Sequence, residues 1–222
     1  MNLFDILGPV MVGPSSSHTA GAVRIGYLAR ILLEEKPVHA VITLHGSFAT
    51  TGSGHGTDRA LIAGLLGLKQ DDTRIPTSFQ LAEKAQLLFE IKCGILKDAH
   101  PNSALLELTG AQGSSLCVQA SSIGGGRVLI NKLDGIDVNF SAEKPTLIVH
   151  NLDQPGQVAQ VTSILCSQDV NIATMQLYRD KRGGLAVMVV ETDQSIPHGC
   201  ISQLKALSGI LKVIYINTAG IF

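Results

Sequence analysis

From Thr146 onward the apolar period alternates between that of a strand and that of a helix. The order of the changes constrains the fold more than any other feature of the chain. Thr146–Asn151 reads as a strand, and Pro155–Ser167 as a helix with proline at its first position, where the missing N–H is no loss. Val170–Tyr178 and Leu185–Thr192 read as a hairpin across Arg179–Gly184. A helix from Pro197 to Leu207 and a strand at Val213–Asn217 complete the unit. Strand, helix, strand, strand, helix, strand is the split βαβ order of the ferredoxin-like arrangement. The polar segment Ser141-Ala-Glu-Lys-Pro145 precedes it as a hinge, so two domains are expected, over residues 1–142 and 146–222.

The first domain reads differently. Val23, Ile25, Leu28, Ile31 and Leu32 recur at helical spacing and stop before Pro37. Val38–Leu44 reads as a strand and Gly46–Gly56 as a glycine-rich turn. Helices are expected over Thr57–Leu66 and Ser78–Leu88. Four short strands follow Pro101, at Ala104–Thr109, Leu116–Ala120, Val128–Ile130 and Ile136–Phe140, each bounded by turn residues. The expected class is α+β, with helices ahead of a mostly antiparallel sheet.

Composition bounds the function. Of 222 residues 45% are hydrophobic and only 16% charged, with a formal net charge of −1. That rules out intrinsic disorder and leaves no basic stripe for nucleic acid or a membrane surface. Met1–Phe4 has no basic region leading into an apolar run, and the longest apolar stretch, Leu61–Leu68, is too short to cross a bilayer. A cytoplasmic chain is expected. Scarcity of charge fits either a generous core or apolar surface awaiting a partner. Cys93, Cys117, Cys166 and Cys200 are dispersed, without a C-x-x-C pair or a histidine at ligand spacing. They predict buried, inert thiols and no metal site within this chain.

Two segments carry candidate chemistry. Gly13-Pro-Ser-Ser-Ser-His18-Thr19 places four hydroxyls and an imidazole at the start of the first helix. Unpaired N–H groups there favour an anion, and His18 adds a group titrating near neutrality. The bland alternative is one capping serine with loop filler around it. His45-Gly-Ser-Phe-Ala-Thr-Thr-Gly52-Ser-Gly-His55-Gly-Thr-Asp58 repeats the theme but matches neither a P-loop nor a dinucleotide fingerprint. Glycines flanking His55 allow close approach of a ligand; an ordinary turn capped by Thr57 or Asp58 explains them equally. His100-Pro-Asn102 reads as a structured turn, Gly124–Gly126 as a bulge or close packing point, and His39 and His150 as structural. His198 is expected in the first turn of the last helix, exposed. In the second domain Asn151, Asp153, Gly156 and Asn171 are candidates to hold both ends of an amino acid, or simply to cap a turn.

In this order, the Gly-Pro-Ser-Ser-Ser-His-Thr run, the Gly-His-Gly-Thr-Asp run, the His-Pro-Asn turn and the triple glycine resemble the β chain of the bacterial iron–sulfur L-serine dehydratases. The C-terminal unit with Asp153-Gln-Pro-Gly156 is similar to the ACT domain that ends such chains. The resemblance spans essentially the whole sequence. It implies an α/β heterodimer that converts L-serine to pyruvate and ammonia without pyridoxal phosphate. A 4Fe-4S cluster would be held by cysteines of the α chain, its open iron taking the substrate hydroxyl. It further implies His18 as base with Thr19 orienting it, and Ser15, Ser16 and Ser17 as carboxylate or ammonium contacts. Gly54, His55 and Thr57 would line the pocket. The ACT domain would self-associate and bind a ligand at Asn151, Asp153, Gly156 and Asn171. A stand-alone ACT-type amino-acid sensor is the alternative. A metal-independent serine hydrolase is disfavoured by the absence of a G-x-S-x-G elbow.

Overall fold

A computed structural model describes residues 10–217, which leaves Met1–Phe4 outside the described residues. The chain forms two compact units that divide at Asp134/Gly135.

In the first unit a π-helical turn, Ser16–Ala20, runs directly into helix α1 (Gly21–Leu33). Strand β1 (Pro37–Leu44) follows, then α2 (Gly46–His55), α3 (Thr57–Leu65) and α4 (Ser78–Lys84). Strands β2 (Leu88–Cys93), β3 (Ser103–Gly110), β4 (Ser115–Gly124) and β5 (Arg127–Leu133) complete it. The strands stand in the order β2-β1-β3-β4-β5. β1 and β2 are parallel, and the remaining pairs are antiparallel.

Ala40, Ile42 and Leu44 alternate onto one face of β1 and are buried, as are Leu106 and Leu108 of β3. Ile25, Leu28 and Leu32 of α1 and Leu61 and Leu65 of α3 contribute to the same core. The two helices cross nearly backbone to backbone. A Cβ on Gly26 would fall on the Leu61 carbonyl oxygen, and one on Gly64 on that of Val23. This contact sets the start of α1 beside the junction of α2 and α3, where both candidate motifs lie.

Three expectations need correction. Gly46–His55 is a helix, not a turn; Thr50 and Thr51 hydroxyls bond back to the Gly46 and Ser47 carbonyls inside it. Only Phe48 and Gly52 of that helix are buried, so it has no apolar period to read. The helix expected over Ser78–Leu88 stops at Lys84, where Gln86 turns to φ 58°, and the chain continues as β2. Of the four cysteines only Cys200 is buried; Cys93 and Cys166 are exposed and Cys117 is half-buried.

The second unit begins with β6 (Ile136–Phe140), followed by β7 (Thr146–Leu152), α5 (Gln157–Ser167), β8 (Ile172–Arg179), β9 (Leu185–Thr192), α6 (His198–Lys205) and β10 (Ile210–Ile216). Its four-stranded sheet has the order β10-β7-β9-β8, antiparallel throughout. Val161, Leu165, Cys200 and Leu204 of the helices pack on Leu147, Val149, Met188 and Val190. Gly156, at φ 94°, caps α5, so Pro155 lies outside the helix instead of at its first position.

Candidate active site

Ser15 is the N-cap of the π turn, its Oγ accepting the His18 backbone N–H at 3.0 Å. One hydroxyl of the run is therefore a cap. Ser16 and Ser17 are half-buried, and their hydroxyls have no bonding partner among the described residues. An irregular turn of this kind frequently marks a functional site.

The π turn aims the His18 side chain at α2. Its Nε2 lies 3.0 Å from Ser47 Oγ and 3.1 Å from Thr51 Oγ1. With the Thr51 hydroxyl proton on the Ser47 carbonyl at 2.8 Å, its oxygen accepts from the imidazole. In that arrangement Nε2 carries the hydrogen and the lone pair belongs to Nδ1, which has no hydrogen-bond partner among the described residues. The ring packs edge-on against Phe48, centroids 5.3 Å apart, and lies 5.1 Å from the His55 ring. Burial pushes the His18 pKa down. The His55 charge adds to this, against the opposing Ser47 carbonyl. A neutral imidazole with one free nitrogen is a general base ready for use near pH 7.

Two hydroxyls knit the motifs together. Thr19 Oγ1 donates to the His55 carbonyl at 3.1 Å, and Thr57 Oγ1 to the His18 carbonyl at 2.9 Å. Thr19 thus braces the backbone of His55, and its hydroxyl makes no hydrogen bond to the His18 ring among the described residues. Thr57 is fully buried. His55 ends α2 and does not open a helix. A pocket of about 230 Å³ adjoins it, lined by Gly13, Pro14, Thr19, Gly54, His55 and Arg59 among others.

The reading of the sequence passed over Ser47, Phe48, Thr51 and Arg59. Ser47 and Thr51 stand four apart, one helical turn, but that signal is visible only once the segment is known to be a helix. The His100-Pro-Asn102 turn acts from behind: the Pro101 carbonyl accepts the Ser47 N–H at 2.7 Å, and His100 Nδ1 accepts from Asn102 N. The triple glycine turns between β4 and β5 with all three φ positive.

In the second unit Asn151 is buried in β7, its Nδ2 donating to the Leu152 carbonyl and its Oδ1 unpartnered. Gln157 Oε1, at the start of α5, is likewise buried and unpartnered. Asp153 accepts from Gly183 N at 2.8 Å and pairs with Arg179 at 3.2 Å. The Gly183 N–H does most to hold its carboxyl below the usual range; burial opposes this, and Arg179 adds to the lowering. Asn171 stands apart, bonded to Asp193 and bordering a groove with Thr162, Ser163 and Cys166.

Residues 2–92 match the serine dehydratase beta chain family and residues 145–209 the ACT domain family. The probable L-serine dehydratase beta chain of Bacillus subtilis is 40% identical over 212 residues, 96% of each chain. The chain belongs to the L-serine dehydratase β chain family. The L-serine dehydratase beta chain of Peptoniphilus asaccharolyticus is 37% identical over 96% of this chain and 97% of its own. An L-serine dehydratase of Helicobacter pylori is 32% identical over 60% of this chain but only 34% of that protein. The β chain is thus a subunit of a serine ammonia-lyase, with an α chain as its partner, and this membership replaces the stand-alone sensor reading. No helix among the described residues is long and apolar enough to cross a membrane.

Proposed function

We propose that this β chain supplies the base and the substrate contacts for elimination of water from L-serine. The observation that carries the proposal is His18, with Nε2 anchored by two hydroxyls and Nδ1 free. Nδ1 takes the proton from Cα as the β-hydroxyl departs, and the electron pair of the C–H bond becomes the Cα–Cβ double bond. The aminoacrylate released becomes an imine and is hydrolysed by water to pyruvate and ammonia. Ser16 and Ser17 hold the polar ends of the substrate, with the remaining Ser15 proton beside them. His55 and Gly54 wall the pocket.

Among the described residues no three His, Cys, Asp or Glu side chains group as a metal site. In this reading the ligands of a 4Fe-4S cluster would come from the α chain. Such a cluster supplies a Lewis acid for the leaving hydroxyl. The Helicobacter pylori relative supports this division, since about two thirds of that protein lies outside the match. No pyridoxal phosphate is required, and the complex would work in the cytoplasm.

A His18→Ala β chain assembled with its α chain should lose about 10²- to 10⁴-fold in kcat, the usual contribution of a positioned base. Turnover close to that of the unaltered complex would remove His18 from the role. We further propose that the ACT unit binds a small amino acid at the turn from β7 to α5. There Asn151 Oδ1 and Gln157 Oε1 are unpartnered acceptors suited to an ammonium group, with Asp153 and Gly156 beside them. Asn171 would belong to this site only if the ligand reaches the neighbouring groove. Self-association would use the edge strand β8, where Leu177 is 47% exposed.

A further inference from the structure

We propose that Arg59 binds the α-carboxylate of the amino-acid substrate, which rests on the pocket beside His55 being the substrate site. Arg59 is the third residue of α3, three positions beyond Gly56, and its guanidinium lies 5.5 Å over the Phe79 ring. Stacking on an aromatic face holds the cation in place and leaves its edge N–H groups, the ones that grip a carboxylate, directed outward. Arg59 lines the same pocket as Thr19 and His55.

No acidic side chain among the described residues is paired with it. The neighbouring Asp58 turns its Oδ1 back to the Arg59 backbone N–H at 2.7 Å. Asp72, on the loop before Ile75, is paired with Arg74 at 2.6 Å. No ion pair to Arg59 occurs among the described residues, so an anion entering the pocket meets an available fork of donors. A volume of about 230 Å³ suits a small molecule and lies below the roughly 300–1,000 Å³ of drug-sized sites.

A carboxylate fixed there also serves the chemistry. Proton removal from Cα builds negative charge next to an existing carboxylate, and a guanidinium on that carboxylate lowers the cost. The ligand class is therefore a small α-amino acid with a free carboxylate. Amides and peptides, which lack that charge, should be refused.

The test uses the β chain assembled with its α chain, with Arg59→Gln and Arg59→Lys variants. Steady-state turnover of L-serine is measured alongside calorimetric binding of L-alanine and L-alaninamide, which differ at the carboxylate. The unaltered complex should prefer alanine strongly. Arg59→Gln should reduce that preference about ten- to hundredfold and raise KM for serine by a similar factor, with kcat less affected. Arg59→Lys should restore part of the preference. The ratio is taken within one preparation, so a loss of folded protein cancels. An undiminished preference in Arg59→Gln would overturn the assignment. A preference that Arg59→Gln removes, in an unaltered complex that does not turn over serine, would uphold Arg59 as the carboxylate site while overturning the catalytic reading around it.

Discussion

The two nitrogens of His18 have different surroundings, and that difference has a measurable consequence. The acid limb of kcat/KM against pH reports the loss of the neutral base in the free enzyme. Burial and the His55 charge both lower the His18 pKa. Replacing His55 by Gln removes the charge and should move the acid limb to higher pH. Replacing Thr51 by Val removes an acceptor that favours the imidazolium, so the limb should move to lower pH. The same change also frees the ring to take the wrong tautomer, lowering kcat about three- to tenfold. A shift opposite to the expected one in either variant would show that the group replaced does not act on His18 as described. His18 itself was legible from sequence because a hydroxyl run beside an imidazole at a helix start has few structural uses. Ser47, Thr51 and Arg59 were not, since isolated hydroxyls and one arginine in an apolar helix carry no signal until the backbone brings them to the same place.

At the scale of elements, glycine decides how α1 meets α3. A Cβ on Gly64 would lie closer than 3.0 Å to both the Val23 carbonyl oxygen and the Tyr27 nitrogen, backbone atoms that cannot swing aside. Gly64→Ala should destabilise the chain by about 2–3 kcal/mol, lowering Tm by roughly 5–10 °C. Gly54→Ala is the control, because a Cβ there meets nothing within 4 Å and alanine favours helix. Equal melting temperatures for the two variants would contradict a backbone-limited crossing. Elements with a clear period were legible, as α1, β3 and all of the second unit's strands show. α2 was not, because glycines and hydroxyls replace the apolar stripe. β2 was not either, because none of its residues is buried and it shows no apolar face to read. The expectation of buried cysteines failed for a related reason: apolar neighbours in sequence do not fix which way an edge or helix residue faces. Cys93 at the end of β2 and Cys166 on α5 both face outward.

For the whole molecule, the two units hold different kinds of unsatisfied group. Around the first unit's pocket lie hydroxyls and a cation with no bonding partner among the described residues; at the turn from β7 to α5 of the second lie two buried amide oxygens. An orphaned acceptor ordinarily destabilises a fold, so two in one turn imply a partner that arrives separately. If that partner is an amino acid, Asn151→Leu should change the stability of the ligand-free chain by only about 1 kcal/mol, since one hydrogen bond is lost while an unpaired oxygen is removed. The same substitution should abolish the second unit's share of ligand-induced stabilisation, which for one site is about 2.7 kcal/mol at a hundredfold excess over Kd. Titrating the full chain with L-serine, by melting and by calorimetry, separates the contributions: two sites per chain should fall to one in Asn151→Leu. The remaining site should then be lost in Arg59→Gln. A chain that binds L-serine with identical stoichiometry and melting shift after Asn151→Leu has no amino-acid site at that turn, and its two buried oxygens would then be satisfied by water alone.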